Sequence, residues 1–347
     1  IALTYMGLLL VASVNVFDPL VRHDDFPALL ADPTGFYVKT LHEGRWLNYW
    51  WHLRGFVTPS WLNFLVYQGL WATVAGASAA AIMRDTGPVR ALTLALITAL
   101  AAPALELSFW FNTLIPGMAV LAISALLVTR LTVPQMRIMM LVAVPVLLMA
   151  YTTYPVFLLI LILAVPQERS LKGLVATLAF FTASFALGVL LIYTLNYTVH
   201  GVFGVPMAEW RNPNPASDVQ SALSNLRLVG VLMGEYDWLS SYKNAFVLPV
   251  FAIIFAAAFV LTLRFATIET LYVVAGAATG IGLVSLQIML SGVEVGARAL
   301  LFLWFATSIV IVRAATLAGD ARWVPPRLAS NAVFFFIATG AVFTAKA

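Results

Sequence analysis

Among its 347 residues the chain has no cysteine. Disulfides, thiolate metal sites and a cysteine nucleophile are therefore excluded, while the redox compartment stays undecided. Charge is nearly as scarce: 10% of residues are Asp, Glu, Lys or Arg, where a soluble domain carries roughly a quarter. The four histidines do not cluster at metal-ligand spacing, there is no His-Glu-x-x-His, and no Gly-x-x-x-x-Gly-Lys-Ser/Thr phosphate loop exists, which argues against a zinc site and nucleotide hydrolysis. The net charge of +4 comes from basic residues scattered one to three per loop. Without a basic stripe, nucleic acid is not an expected partner. Ionisable residues are also missing from the middle of the apolar runs, where an ion-coupled carrier would need them.

What the chain does have is apolar length. Hydrophobic residues make up 62%, and runs near the roughly 20 residues that span a bilayer recur between short polar breaks. The expected fold is an all-α polytopic membrane protein forming a single transmembrane domain over 1–347. Eleven crossings are expected: Ile1–Phe17, Trp61–Met83, Ala91–Glu106, Phe109–Val128, Ile138–Ala150, Tyr154–Val165, Gly173–Asn196, Phe246–Leu263, Leu271–Leu290, Ala299–Val312 and Leu328–Thr344. The first run lacks a basic leader and a cleavage site, so it is expected to be a retained helix, its start left open by the initial Ile1.

Charge decides the reading of 138–165, which is either one tilted helix or a hairpin broken at Tyr151-Thr-Thr-Tyr-Pro155. With the hairpin, loops 84–90, 129–137, 166–172, 264–270 and 313–327 share one side and hold ten Lys/Arg, whereas the short opposite turns hold only Arg298. The first set, with Arg90, Arg137, Arg169 and Arg322, is then cytoplasmic. The two long connections, 18–60 and 197–245, fall outside, and with Glu106 and Glu294 of the short external turns they place eleven of the fifteen acidic residues on that side. Acidic residues barely influence orientation, so either an external function or a solvated loop surface explains them.

Candidate site residues follow from that placement. Asp24 and Asp25, just beyond the first helix, hold carboxylates near the membrane surface, where one could act as general base while the other is structural. Helix capping and solvation would also account for them. In the segment 43–51, Trp46, Trp50 and Leu53 recur at helical spacing opposite Arg45, Asn48 and His52, which predicts an interfacial helix with its aromatic face in lipid and its polar face free for a phosphate or glycan. Arg298, at an external helix start, suits a lipid phosphate because a guanidinium binds phosphate oxygens bidentately; pairing with Glu294 or snorkelling are the alternatives. Lys243 adds another external cation. Glu106, Tyr151 and Tyr154 mark the short external tips, and Glu235 and Asp237 sit in the second long loop among aromatics of the kind that line sugar sites. Gly276/Gly280 and Ala75/Ala79 read as helix-packing pairs.

The Asp24-Asp25 pair, Gly44-Arg45-Trp46 some twenty residues later, the tyrosine turn at 151–155 and Arg298 together resemble the GtrII-type glucosyltransferases that modify bacterial O-antigen, polytopic enzymes similar to the GT-C class. The resemblance spans most of the chain. It implies inverting or retaining transfer of a hexose, glucose first, from a polyprenyl-phosphate donor to a cell-envelope glycan acceptor, on the periplasmic face of a bacterial inner membrane. It further implies Asp24 or Asp25 as catalytic acid/base and Arg298 as a donor-phosphate ligand, with Arg45 and Lys243 as further cations. No cofactor is required, and a divalent cation, Mg or Mn, is left open. A polysaccharide polymerase or ligase would share the helical body but with more arginine-rich loops; a lipid-linked sugar flippase or channel would need a polar path across the bundle.

Overall fold

The computed structural model describes residues 1–17, 19–321 and 326–346, so Asp18 and Arg322 lie outside the described residues. Every regular element is helical and no strand occurs among the described residues. In chain order the helices are α1 (Ala2–Val11), α2 (Ser13–Phe17), α3 (Phe26–Leu29), α4 (Thr34–Glu43), α5 (Trp46–His52), α6 (Ser60–Ile82), α7 (Pro88–Ala99), α8 (Ala102–Ser108) and α9 (Phe111–Val128). They continue with α10 (Val133–Leu148), α11 (Tyr154–Ala164), α12 (Leu171–His200), α13 (Val219–Asn225), α14 (Arg227–Ser240), α15 (Val247–Phe265), α16 (Thr267–Ser291), α17 (Leu301–Ala321) and α18 (Pro326–Lys346). Six helical stretches (α6, α9, α12, α15, α16 and Ala297–Gly319) are long and apolar enough to cross a membrane unaided, or seven if the bent pair α7–α8 is one span. The chain is an integral membrane protein.

The centre of the bundle is α11, eleven apolar residues buried at every position and packed against α9, α10, α16 and α17. Glycine lets α16 approach it: a Cβ on Gly276 would press on Ile160 and Leu163, and one on Gly280 on Val156 and Phe302. That is the close packing read from their spacing. By contrast α12 and α15 carry many exposed apolar side chains, among them Val175, Leu190 and Ile253, as lipid-facing helices must.

Two sequence expectations need correction. The segment 91–106 is not one straight helix, because α7 and α8 meet at 55°. Pro103 has no N–H to return to the carbonyl four residues earlier. That carbonyl, on Ala99, instead accepts from the Trp71 indole at 3.1 Å. The second correction concerns α5, whose polar residues Asn48 and His52 point into the protein and not toward a ligand. Asn48 and His52 are fully buried. Asn48 donates to the Ala150 carbonyl at 2.9 Å, His52 stacks on Phe36, and burial lowers the His52 pKa to about 4, keeping the ring neutral. Trp46 is buried too, against Leu148, Met149 and Ile192, with its indole donating to Asn196 at 2.9 Å. Only Trp50 and Leu53 are exposed. Because lipid cannot satisfy a buried Asn, His and Trp, Trp46 bonds to α12, Asn48 to the turn after α10, and His52 through Nδ1 to the Asn48 carbonyl.

The break between α10 and α11 falls at 149–153, so 138–165 is a hairpin. Its turn, with Tyr151, meets Arg298 at one end of the bundle. The loop after α11 meets Arg84 and Arg130 at the other end. Since the chain has no cysteine, single substitutions report sidedness cleanly. We expect Arg130→Cys and Glu168→Cys to label from one side of the membrane and Trp210→Cys and Glu294→Cys from the opposite side. Labelling of 168 together with 210 would break the hairpin.

Candidate functional site

At the hairpin-turn end, three connections fold over the helix ends and enclose a cleft in two lobes of about 490 and 600 Å³. Both lobes share Arg45, Tyr151, Trp210, Arg211 and Arg298. Glycine shapes the wall. Gly44 closes α4 with φ of +66°, and its Cβ would strike Ile192, so the sharp exit that puts Glu43 and Arg45 side by side requires glycine there. Gly292 closes α16 with φ of +62° beneath Asn214, whose N–H donates to the Ser291 carbonyl at 3.0 Å. That contact ties the second long connection to the Arg298 turn.

Asp24 stands on the wall of the smaller lobe with its side chain about one-third exposed. The Trp110 indole donates to its Oδ1 at 2.6 Å, and Lys39 approaches Oδ2 at 3.4 Å. Burial pushes this carboxyl upward, but the Lys39 charge and the two hydrogen bonds outweigh it and hold the pKa below the usual carboxylate value. The Arg298 guanidinium lies over the Trp110 ring, 4.3 Å from its centroid, so a single indole touches Asp24 with its edge and Arg298 with its face. Arg298 has no carboxylate partner among the described residues; Glu294 does not pair with it.

The cleft's other anchor is Glu43, a nearly buried carboxylate that forms an ion pair with Arg45 at 2.6 Å and accepts a hydrogen bond from Arg211 at 2.9 Å. Burial raises its pKa, and the charges of Arg45, Arg211 and Lys39 override that to hold it ionised and low. Arg211 comes from the turn Glu209–Arg211 of the second long connection, so Glu43 joins the two connections across the cleft. Tyr151 faces both lobes, with Arg45 over its ring at 5.6 Å. A third cavity opens from Arg45 and Arg211 and continues between α12 and α16, lined by apolar side chains such as Val189, Ile192 and Leu286.

The structure thus brings together Asp24, Arg45, Tyr151 and Arg298 of the residues expected from sequence. It does not bring in the others. Asp25 is fully buried and bonds to α9. Lys243 and Glu106 pair with each other at 2.9 Å outside the cleft. Glu235 and Asp237 are exposed on α14 and line none of these cavities. Tyr154 is buried behind Tyr151, and Trp46 belongs to the α5 packing. Glu43, Arg211, Lys39 and Trp110 are added. Glu43 had a readable signal, because a carboxylate in the last turn of a helix opposes the dipole and calls for a cation nearby. Trp110 had none beyond an interfacial tryptophan.

Among the described residues no three His, Asp or Glu side chains gather as metal ligands. Asp24 is bonded to a lysine and Glu43 to two arginines, a donor set that does not fit Mg or Mn. No family model, no curated protein and no solved structure matches the chain.

Proposed function

We propose that this chain is a membrane glycosyltransferase that moves a hexose from a polyprenyl-phosphate donor to a cell-envelope glycan such as O-antigen, on the external face of a bacterial inner membrane. The observation that carries the reading is the Asp24–Trp110–Arg298 arrangement: a partly exposed carboxylate and a guanidinium with no carboxylate partner among the described residues, held by one indole at a shared cleft. Arg298, with Arg45 and Arg211, would hold the donor phosphate, and the apolar cavity between α12 and α16 would take the lipid chain as it leaves. Asp24 Oδ2, which meets Lys39 at 3.4 Å while Oδ1 is held by Trp110, is the oxygen open to an acceptor hydroxyl. It would take that proton while the sugar C1–O(phosphate) bond breaks and the phosphate leaves as the anion. On this reading the four shorter apolar helices are also crossings, giving eleven in a GT-C-like body, and the basic loops set the opposite end in the cytoplasm.

The test is donor titration. Arg298→Ala should weaken use of a polyprenyl-phosphate glucose donor about ten- to a hundredfold, the loss expected for one charge-assisted phosphate contact of roughly 1.5–3 kcal/mol. An unchanged donor dependence in purified protein would remove Arg298 from the site.

A further inference from the structure

A second cation-lined cavity lies at the other end of the bundle, and the proposed transfer makes no use of it. It measures about 740 Å³ and is walled by Arg84, Arg130, Arg137 and Lys172, with Glu168 as the one carboxylate among its lining residues. Arg84 has the Pro166 carbonyl and a distant Asp85 for partners. Arg130 and Lys172 are exposed and have no carboxylate partner among the described residues. Arg137 is fixed by Nε donating to Thr177 at 3.1 Å and Nη2 donating to the Gly173 carbonyl at 3.0 Å, which leaves Nη1 for a ligand. The N-termini of α10 and α12 open on the same space, at Val133 and Ser170. Their partial positive charges add to the four cations.

Charge of this kind, concentrated in a concave site at a helix end, calls for phosphate. The surroundings identify its source. Ile138 on α10 and Leu171 and Val175 on α12 are exposed apolar side chains close to these lining residues. Acyl chains can lie on them while the headgroup enters the cavity. We infer that Arg84, Arg130, Arg137 and Lys172 form a binding site for the phosphate-bearing headgroup of an anionic membrane lipid, on the leaflet opposite the cleft of Asp24.

The experiment follows the thermal-unfolding midpoint of detergent-purified full-length chain while dioleoylphosphatidylglycerol, dioleoylphosphatidylcholine or inorganic phosphate is added. Phosphatidylglycerol should raise the midpoint saturably and phosphatidylcholine should not. Arg130→Gln with Lys172→Gln should shift the phosphatidylglycerol midpoint concentration upward about tenfold or more, since each basic residue contributes to the attraction. Arg130→Lys with Lys172→Arg should leave it unchanged and so controls for folding. An equal response to phosphatidylcholine, or an undiminished response in the double Gln variant, overturns the site. Inorganic phosphate acting alone as well as the lipid overturns the lipid assignment in favour of a soluble phosphate. A response lost in Arg298→Ala but kept in the double Gln variant would place the lipid in the other cleft and also overturn the proposal, whatever the outcome for sugar transfer.

Discussion

Asp24→Asn should reduce sugar transfer from the lipid-linked donor by about 10²–10⁴ while leaving the protein folded and able to bind donor. The amide keeps the shape of the carboxylate, and its oxygen can still accept from Trp110, but it cannot take the acceptor's proton. The effect on folding is small because the side chain is about one-third exposed and its Lys39 contact is long, 3.4 Å. The pH profile gives a second readout. Lys39 and Trp110 hold the Asp24 pKa below the usual carboxylate value, so the base is ionised throughout pH 5–8 and the rate should not rise with pH there on its account. The acid limb belongs below the range in which an ordinary aspartate titrates. The small stability these contacts give follows the same sign: present above the unfolded pKa, lost as pH falls through the folded one. Lys39→Met should move the acid limb upward. A folded Asp24→Asn protein that transfers sugar at the parental rate would end the general-base assignment and leave a binding or flipping role for the cleft.

How much of this was legible in the sequence depends on how local the cause is. Apolar length, the hairpin at Tyr151 and the pairing of Asp24 with the Arg298 end came from run lengths, Pro155 and loop charge, all of which act within a few residues. The α7–α8 bend depends on Pro103, which is visible, but also on Trp71 arriving to take the freed Ala99 carbonyl, which is not. The orientation of α5 was misread for the same reason. Helical spacing separates Trp46 from Asn48 and His52 but cannot say that α4, the turn after α10 and α12 would supply Phe36, Ala150 and Asn196 around them. Glu43 and Arg211 lie 168 residues apart, and only folding makes them one group. Lys243 and Glu106 show the converse, two plausible site residues that satisfy each other outside the cleft.

The sharpest division within the site is between adjacent residues, and Asp25→Ala should reveal it as a folding defect where Asp24→Asn gives a catalytic one. Successive side chains on this turn point in different directions, so while Asp24 faces the cleft, Asp25 is fully buried at the start of α9. Its Oδ1 accepts from the Thr113 N–H at 2.7 Å, and its Oδ2 from the Asn112 N–H at 3.0 Å and the Asn112 side-chain amide at 2.8 Å. The two backbone N–H groups are first-turn donors that a helix cannot satisfy itself. Trp110, the N-cap residue of α9, has no side-chain cap bond, so the loop supplies the cap from 87 residues away. Asn112 in turn accepts from Asn63 at 2.7 Å and Asn63 from Thr58 at 2.7 Å, extending the network to the start of α6. Alanine would leave three buried donors unpaired. An ordinary cap loss costs about 1 kcal/mol, whereas buried donors left without acceptors cost roughly 1–3 kcal/mol each, partly recovered by relaxation. A loss of about 2–5 kcal/mol is expected, seen as a lower thermal midpoint and poor recovery in detergent. Asp25→Asn should be milder, since one oxygen still accepts while the new NH2 confronts the other donors. Trp110 begins α9, so a loosened cap should also disturb the Asp24–Trp110–Arg298 contact, and any activity lost should return in proportion as the folded fraction is restored by lowering temperature. Wild-type stability in Asp25→Ala with activity abolished would reverse the two roles, making Asp25 the base and Asp24 its support.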